Sequence, residues 1–254
     1  TNVVRLLRDR NFGPRQRLEG LSADLQGDIG AIDALLEPLG ARLLPTAMHP
    51  TMDPQRETHL WPHEHSAVYE TFDRMFGASG HGWSNLQSVH INLPFASDEE
   101  FGRLHTAIRL VLPLLPALAA SSPLVEGAPS GVLDTRMSFY RHNARAIPSV
   151  SGRVIPELVL DQQSYEERIL APIARDVAPF DRAGVLEAEW VNARGAIARF
   201  ERGSIEIRVI DVQECVQADI AVAALTIAAV RALVEERWQS YREQQLPETE
   251  PLEA

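Results

Sequence analysis

"GAIARFERGSIEIRVID", residues 195–211, decides the fold. It reads as two strands joined by a turn at Arg202-Gly203. In the second strand Ile205, Ile207 and Val209 share one face by the two-residue period of extended chain, and Glu206, Arg208 and Ile210 share the other. Strands joined by so short a connection pair antiparallel. One face is apolar, while the other presents a carboxylate and a guanidinium. On a single strand such a pair is ordinarily a solvated or salt-bridged surface. It becomes a candidate site when neighbouring strands bring matching residues.

"GWSNLQSVHINLPF", residues 82–95, brings one. Gln87, Val89, Ile91 and Leu93 alternate with Ser88, His90 and Asn92, which predicts a half-buried strand over 84–94. "LDTRMSFYR" (133–141) also alternates, with Asp134, Arg136 and Ser138 on one face. The polar side of the resulting sheet would carry His90, Arg136, Arg199, Glu206 and Arg208. A carboxylate and an imidazole on one sheet face can ligate a divalent metal. Arginines beside them can clamp carboxylate or phosphate.

Helical periodicity fills much of the remainder. Leu25, Ile29, Ile32, Leu36 and Leu39 predict a helix over 22–39, ended by Gly40. Residues 67–76 and 164–177 read as helices. Ser97 followed by "DEE" is an N-cap with acids in the first turn, opening a stripe of Phe101, Leu104, Ile108, Val111, Leu115 and Leu118 that Pro113 and Pro116 should break. The last helix carries Ile220, Ala223, Ile227, Val230, Val234 and Trp238 on one face. "VVRLL" (3–7) reads as a first strand, and "ARLLPTAMHP" (41–50) as a short strand running into a loop. There is no internal repeat and no linker-like break. The expectation is one α+β domain over 1–242, an antiparallel sheet with helices on one face and the other open. Residues 243–254 are acidic and Pro-containing, and are expected to form a flexible tail.

Composition narrows the chemistry. A net charge of -11 over 254 residues argues against a nucleic-acid partner. All 24 basic residues are arginine. With no lysine, Schiff-base chemistry and a Walker-type phosphate loop are excluded. The single cysteine, Cys215, permits no intramolecular disulfide, which fits a reducing cytoplasm. It is expected to be a small packed residue rather than a nucleophile. No signal peptide is seen and no apolar run of about 18 residues is expected, so no membrane partner is anticipated. The stretch 49–65 holds His49, His59, His63 and His65 but has neither cysteines nor H-E-x-x-H spacing, so a polar loop is favoured over a zinc site.

The motifs, taken in order, resemble a known family. "MHPTMDP", "HGWSNLQSVHINLPFASDEEF", "LPALAASSPLVEG", "DTRMSFYRHN", "IPSVSGRVIPE" and "WVNARGAIARFERGSIEIRVIDVQEC" look like glutamate–cysteine ligase family 2, the ATP-dependent carboxylate–amine ligases. The resemblance covers about residues 41 to 235. It implies a glutamine synthetase-like catalytic fold, a curved antiparallel sheet whose concave face holds ATP and Mg²⁺. It further implies that a carboxylate, typically the γ-carboxylate of glutamate, is phosphorylated and then joined to an amine such as cysteine. By this resemblance His90 and Glu206 are metal ligands and Arg208 touches the transferring phosphoryl. Arg136 lies near the substrate carboxylate, and Arg199 with Arg208 binds the nucleotide. The chain departs from the family pattern in lacking the E-x-E pair of its first strand; "VVRLL" has Arg5 at a comparable place. Either about a hundred upstream residues are missing or the chain is a shortened member of the family, and activity is expected only where that acidic strand is supplied. The alternative is a non-catalytic member that binds an amino acid or a partner subunit. Absent first strands would leave a sheet edge open, which favours pairing into a homo-oligomer.

Overall fold

In the computed structural model of the chain, which describes residues 20–249 and 252, the strands are β1 (Ser88–Pro94), β2 (Leu124–Val125), β3 (Ala128–Pro129), β4 (Ala196–Arg199) and β5 (Ser204–Asp211). β1, β5 and β4 form a three-stranded antiparallel sheet in that order, and β2 pairs with β3 as a small hairpin. β4 and β5 meet through a single 3₁₀ turn, Phe200–Arg202, closed by Gly203 at φ 54. That left-handed geometry suits glycine, and a Cβ there would also press on the Phe95 carbonyl oxygen at 3.0 Å.

The pairing of β1 with β5 contains a bulge. Ile91 opposes Ile207 and Val89 opposes Ile210, so two steps on β1 match three on β5. The extra residue reverses the parity of the end of β5. Ile210, expected on the polar face, instead lies opposite Val89 with the core residues. Asp211 moves to the polar side, opposite Ser88.

The apolar face is covered by helices. Ser97 caps the helix Asp98–Val111, its Oγ accepting from the Glu100 N–H. Phe101 and Ile108 of that helix are fully buried with Ile205, Ile207 and Ile210. Burial of each such side chain contributes about 1.5–3 kcal/mol. The prolines end regular helix as expected: a 3₁₀ turn occupies Leu112–Leu114 and a short helix Leu115–Ala119. The helix Val216–Val234 packs against Asp98–Val111. It is long and apolar enough to cross a membrane by length and mean hydropathy, which corrects the expectation that no such run exists. Here it is a packing helix that carries Asp219 and Arg231.

The mixture of helices with small antiparallel sheets makes the chain α+β. Four local expectations are corrected. Residues 41–50 form no strand. The alternating run 133–141 is a helix, Thr135–Tyr140, capped by Asp134 through Met137 N–H. Trp238 lies beyond the last long helix and is 66% exposed. Cys215 is exposed rather than packed, and takes the N-cap position of Val216–Val234. The expected strand at 3–7 lies outside the described residues. Of the stretch read as a tail, Gln244 is buried and donates to the carbonyls of Leu233 and Gln239. Buried Arg109 reaches Thr249 Oγ1 at 3.2 Å.

Candidate functional site

Three of the residues singled out by sequence meet on the polar face of β1 and β5. His90 Nδ1 lies 3.3 Å from Glu206 Oε1, and Arg208 Nε donates to the same oxygen at 2.6 Å. The strand period delivers Glu206 and Arg208 from one strand, and the β1–β5 register delivers His90 beside them. The other imidazole nitrogen, Nε2, is 2.7 Å from Ser88 Oγ. Ser88 was visible on the polar face of the sequence pattern, but nothing there marked it as the partner of His90.

These side chains are mostly shielded, and their charges follow from it. Burial pushes the His90 imidazole below its ordinary range, against the opposing effect of its hydrogen bond to Glu206, so it is neutral at neutral pH. Burial alone would push the Glu206 carboxyl up. The His90 hydrogen bond and the Arg208 charge outweigh it and hold the carboxyl well below the usual range. A carboxylate depressed in the fold contributes stability above its unfolded pKa, and that contribution is lost only as pH falls through the folded value. Glu206 is thus an anion throughout the neutral range.

Arg136 reaches this region from the helix Thr135–Tyr140 rather than from a strand. Its side chain is 1% exposed. Its Nε donates to Asp211 Oδ1, and its Nη1 to the Arg208 carbonyl at 3.4 Å. Asp211 Oδ2 accepts from Ser122 Oγ at 2.8 Å and from the Ser121 N–H at 3.0 Å. Asp211 is a residue that alternation misses, because the bulge alone puts it on this side. Asp134, next to this network, has its carboxyl pushed up to about 6, chiefly by burial, with the charge of Asp211 adding to it.

Arg199 stands on β4, one strand away. Its Nη1 donates to the Glu189 carbonyl at 3.1 Å and lies 3.5 Å from Glu189 Oε1. Arg199 and Arg208 both line a cleft of about 970 Å³. Its walls come from residues 57–61, from Tyr69, Phe72 and Trp83, and from the helix Ala188–Val191. Sequence reading did not find this cleft, since its walls come from segments more than 100 residues apart.

Among the described residues no group of three or more His, Cys, Asp or Glu side chains is arranged to hold a metal. His90 and Glu206 form a pair. Two of the histidines of 49–65 make defined contacts. The His49 N–H donates to Asn85 Oδ1 at 2.8 Å, and the His63 ring meets Trp61 edge-on at 4.9 Å.

Comparison with known proteins places this geometry in a lineage. The model of the family described as glutamate-cysteine ligase family 2 matches residues 13–254. An uncharacterized protein of Archaeoglobus fulgidus is 38% identical over 224 residues, covering 88% of this chain and 60% of that protein. A putative glutamate–cysteine ligase 2 of Cupriavidus metallidurans is 33% identical over 149 residues, 58% of this chain and 35% of its own length. A putative glutamate–cysteine ligase 2-1 of Nocardioides sp. is 34% identical over 61% of this chain and 36% of its own length. The chain thus spans about 60% of the first of these relatives and about a third of the other two. With the family match running through every strand of the sheet that bears His90, Glu206 and Arg208, the chain belongs to glutamate–cysteine ligase family 2.

Proposed function

We propose that this chain is the nucleotide-facing part of an ATP- and Mg²⁺-dependent ligase that joins a carboxylate to an amine. The γ-carboxylate of glutamate is the proposed donor and an amine such as cysteine the acceptor. The sheet would form part of a glutamine synthetase-like half-funnel. One observation supports this above the others: His90, Glu206 and Arg208 converge on one sheet face, within hydrogen-bonding distance of one another.

The pair fits a magnesium ion in part. Two adjacent ligands of an octahedral ion with bonds of ~2.1 Å are separated by about 3.0 Å. His90 Nδ1 and Glu206 Oε1, at 3.3 Å, are set at nearly that edge. His90 Nδ1 and Glu206 would hold the ion in place of the hydrogen bond between them, and Ser88 Oγ would then accept from Nε2–H in the tautomer that leaves Nδ1 free. Magnesium ordinarily takes one or two protein carboxylates and completes its shell with water and phosphate oxygens. When bound it neutralises charge on the phosphates.

In the proposed reaction the substrate carboxylate oxygen attacks the γ-phosphorus of ATP and ADP leaves. The amine nitrogen then attacks the acyl carbon, phosphate departs with the bonding electrons, and the nitrogen loses a proton. Arg208 is placed against the phosphoryl oxygens, where its fork offers two parallel donors. Arg136, closed on Asp211 behind Arg208, is assigned to holding this part of β5 and to adding positive charge toward the substrate carboxylate. The second reading is a non-catalytic member that binds an amino acid or a partner subunit. The observation favouring it is that only two ligand side chains stand together among the described residues.

Glu206→Gln tests the metal role. The neutral amide keeps the size of the side chain and can still accept from Arg208, so the fold should persist. Calorimetric titration with Mg²⁺–ADP should show at least a tenfold loss of affinity, with the melting temperature held within a few degrees. Unchanged affinity would make Glu206 a structural acid paired with His90 and Arg208 and remove the metal from this face.

A further inference from the structure

Three of the chain's four tryptophans, Trp61, Trp83 and Trp190, line the cleft that opens beside Arg199 and Arg208. Phe72 meets both Trp83 and Trp190 edge-on, with ring centroids 5.1 and 4.9 Å apart. Trp61 and Trp190 remain 56% and 42% exposed although they belong to a concave wall. Large aromatic faces left open inside a cleft form an apolar binding wall. The same wall also holds polar atoms that are buried and have no hydrogen-bond partner: Thr58 Oγ1, Trp83 Nε1 and Arg199 Nε. All three can donate a hydrogen. The cleft therefore combines an aromatic surface with unsatisfied donors set just beneath it, and it is also lined by two guanidinium groups.

From this we infer that the cleft binds the acceptor amine of the ligase reaction, and that this acceptor, in place of the cysteine named above as an example, is an apolar α-amino acid with an aromatic or large aliphatic side chain. The inference rests on the ligase reading for the word acceptor, but the binding itself does not. The side chain lies against Trp61 and Trp190. The carboxylate, which offers about four acceptor positions on two oxygens, faces Arg199. Glu189 engages Arg199 through Nη1 only, which leaves Nε without a partner. This assigns Arg199 to the amino acid, where the sequence had suggested the nucleotide. Two observations favour an amino acid over a nucleotide. The metal-ligating pair, His90 and Glu206, does not line the cleft, whereas a nucleotide must bring its phosphates to that pair. Arg208 is the one residue shared by both places, so a ligand in the cleft presents its polar end where the activated carboxylate would lie. A ligand with only a cationic end is disfavoured by the two arginines. The volume, about 970 Å³, lies near the top of the ~300–1,000 Å³ range of small-molecule sites, so a large side chain is accommodated.

The test is binding, read by intrinsic tryptophan fluorescence without turnover. L-Phenylalanine should change the emission saturably. Phenethylamine, which lacks the carboxylate, and cysteine, which lacks the apolar body, should each bind at least tenfold more weakly. Trp61→Ala should weaken phenylalanine binding at least fivefold with an unchanged melting temperature, since Trp61 is exposed and its loss opens no core cavity. Arg199→Gln should abolish the preference for phenylalanine over phenethylamine. Equal binding of those two ligands, no saturable response to phenylalanine, or competitive displacement of phenylalanine by ADP without Mg²⁺ would each overturn the inference. The two levels fail separately. Phenylalanine binding with no ADP formation from any donor, in a form of the protein that supplies the acidic strand, would sink the ligase reading and leave the amino-acid site. ADP formation with cysteine but no phenylalanine binding would do the reverse.

Discussion

Arg208→Lys is expected to lower ligase turnover about a hundredfold or more in a form of the protein that supplies the acidic strand, while the melting temperature stays within a few degrees. Arg208 Nε is committed to Glu206, and the side chain is 21% exposed. A partly exposed ion pair contributes only ~0–1 kcal/mol, and lysine can replace its charge. A donor aimed at charge that develops in a transition state is worth ~3–4 kcal/mol, and lysine cannot reproduce the planar fork. The two roles therefore separate in one variant. The rate is measured as ADP released with glutamate and an amine, and the fold by thermal unfolding. Full activity in Arg208→Lys would remove this arginine from phosphoryl transfer.

Asp211→Ala should cost the fold about 3–5 kcal/mol. Arg136 and Asp211 are 1% and 0% exposed, and the remaining acceptor of Asp211 is satisfied by Ser121 and Ser122. Removing the carboxylate leaves a buried guanidinium without its counter-charge and two donors without their acceptor. In a domain of this size each kcal/mol lowers the melting temperature by ~2–4 °C, so a fall of roughly 6–20 °C is expected. The double variant Arg136→Met with Asp211→Leu should recover much of that loss, because desolvating a buried pair offsets most of its attraction. Chemical denaturation of the single and double variants measures both. A loss below 1 kcal/mol in Asp211→Ala would show that the pair is reached by water.

The sheet was legible because its signals are local. The alternation of β5 set Glu206 beside Arg208, and the glycine at position 203 marked the turn that made β4 and β5 neighbours. The alternation of β1 marked His90 in the same way. Arg136 shows where such reading ends. A six-residue run with period two is also compatible with a short helix, and the Asp134 cap bonded to the Met137 N–H decides for the helix. Asp211 shows a second limit. Counted from Ile205 its parity puts it in the core, and the bulge opposite His90 reverses that parity. A bulge is fixed by the partner strand, so the sequence of β5 alone does not contain it.

By itself, then, the sequence determined the antiparallel pairing of β4 with β5, the capped and proline-broken helix after Ser97, and the polar strand positions His90, Glu206 and Arg208. Each depends on residues within a few positions of one another, where backbone period and capping act. Tertiary structure alone decided that His90 meets Glu206, that Arg136 is sealed by Asp211, and that Trp61, Trp83 and Trp190 close around one cleft beside Arg199. The two ion pairs join residues 116 and 75 positions apart, and the cleft brings Trp61 and Trp83 to Trp190 across more than 100. They are selected by how the whole core packs, which no local period encodes.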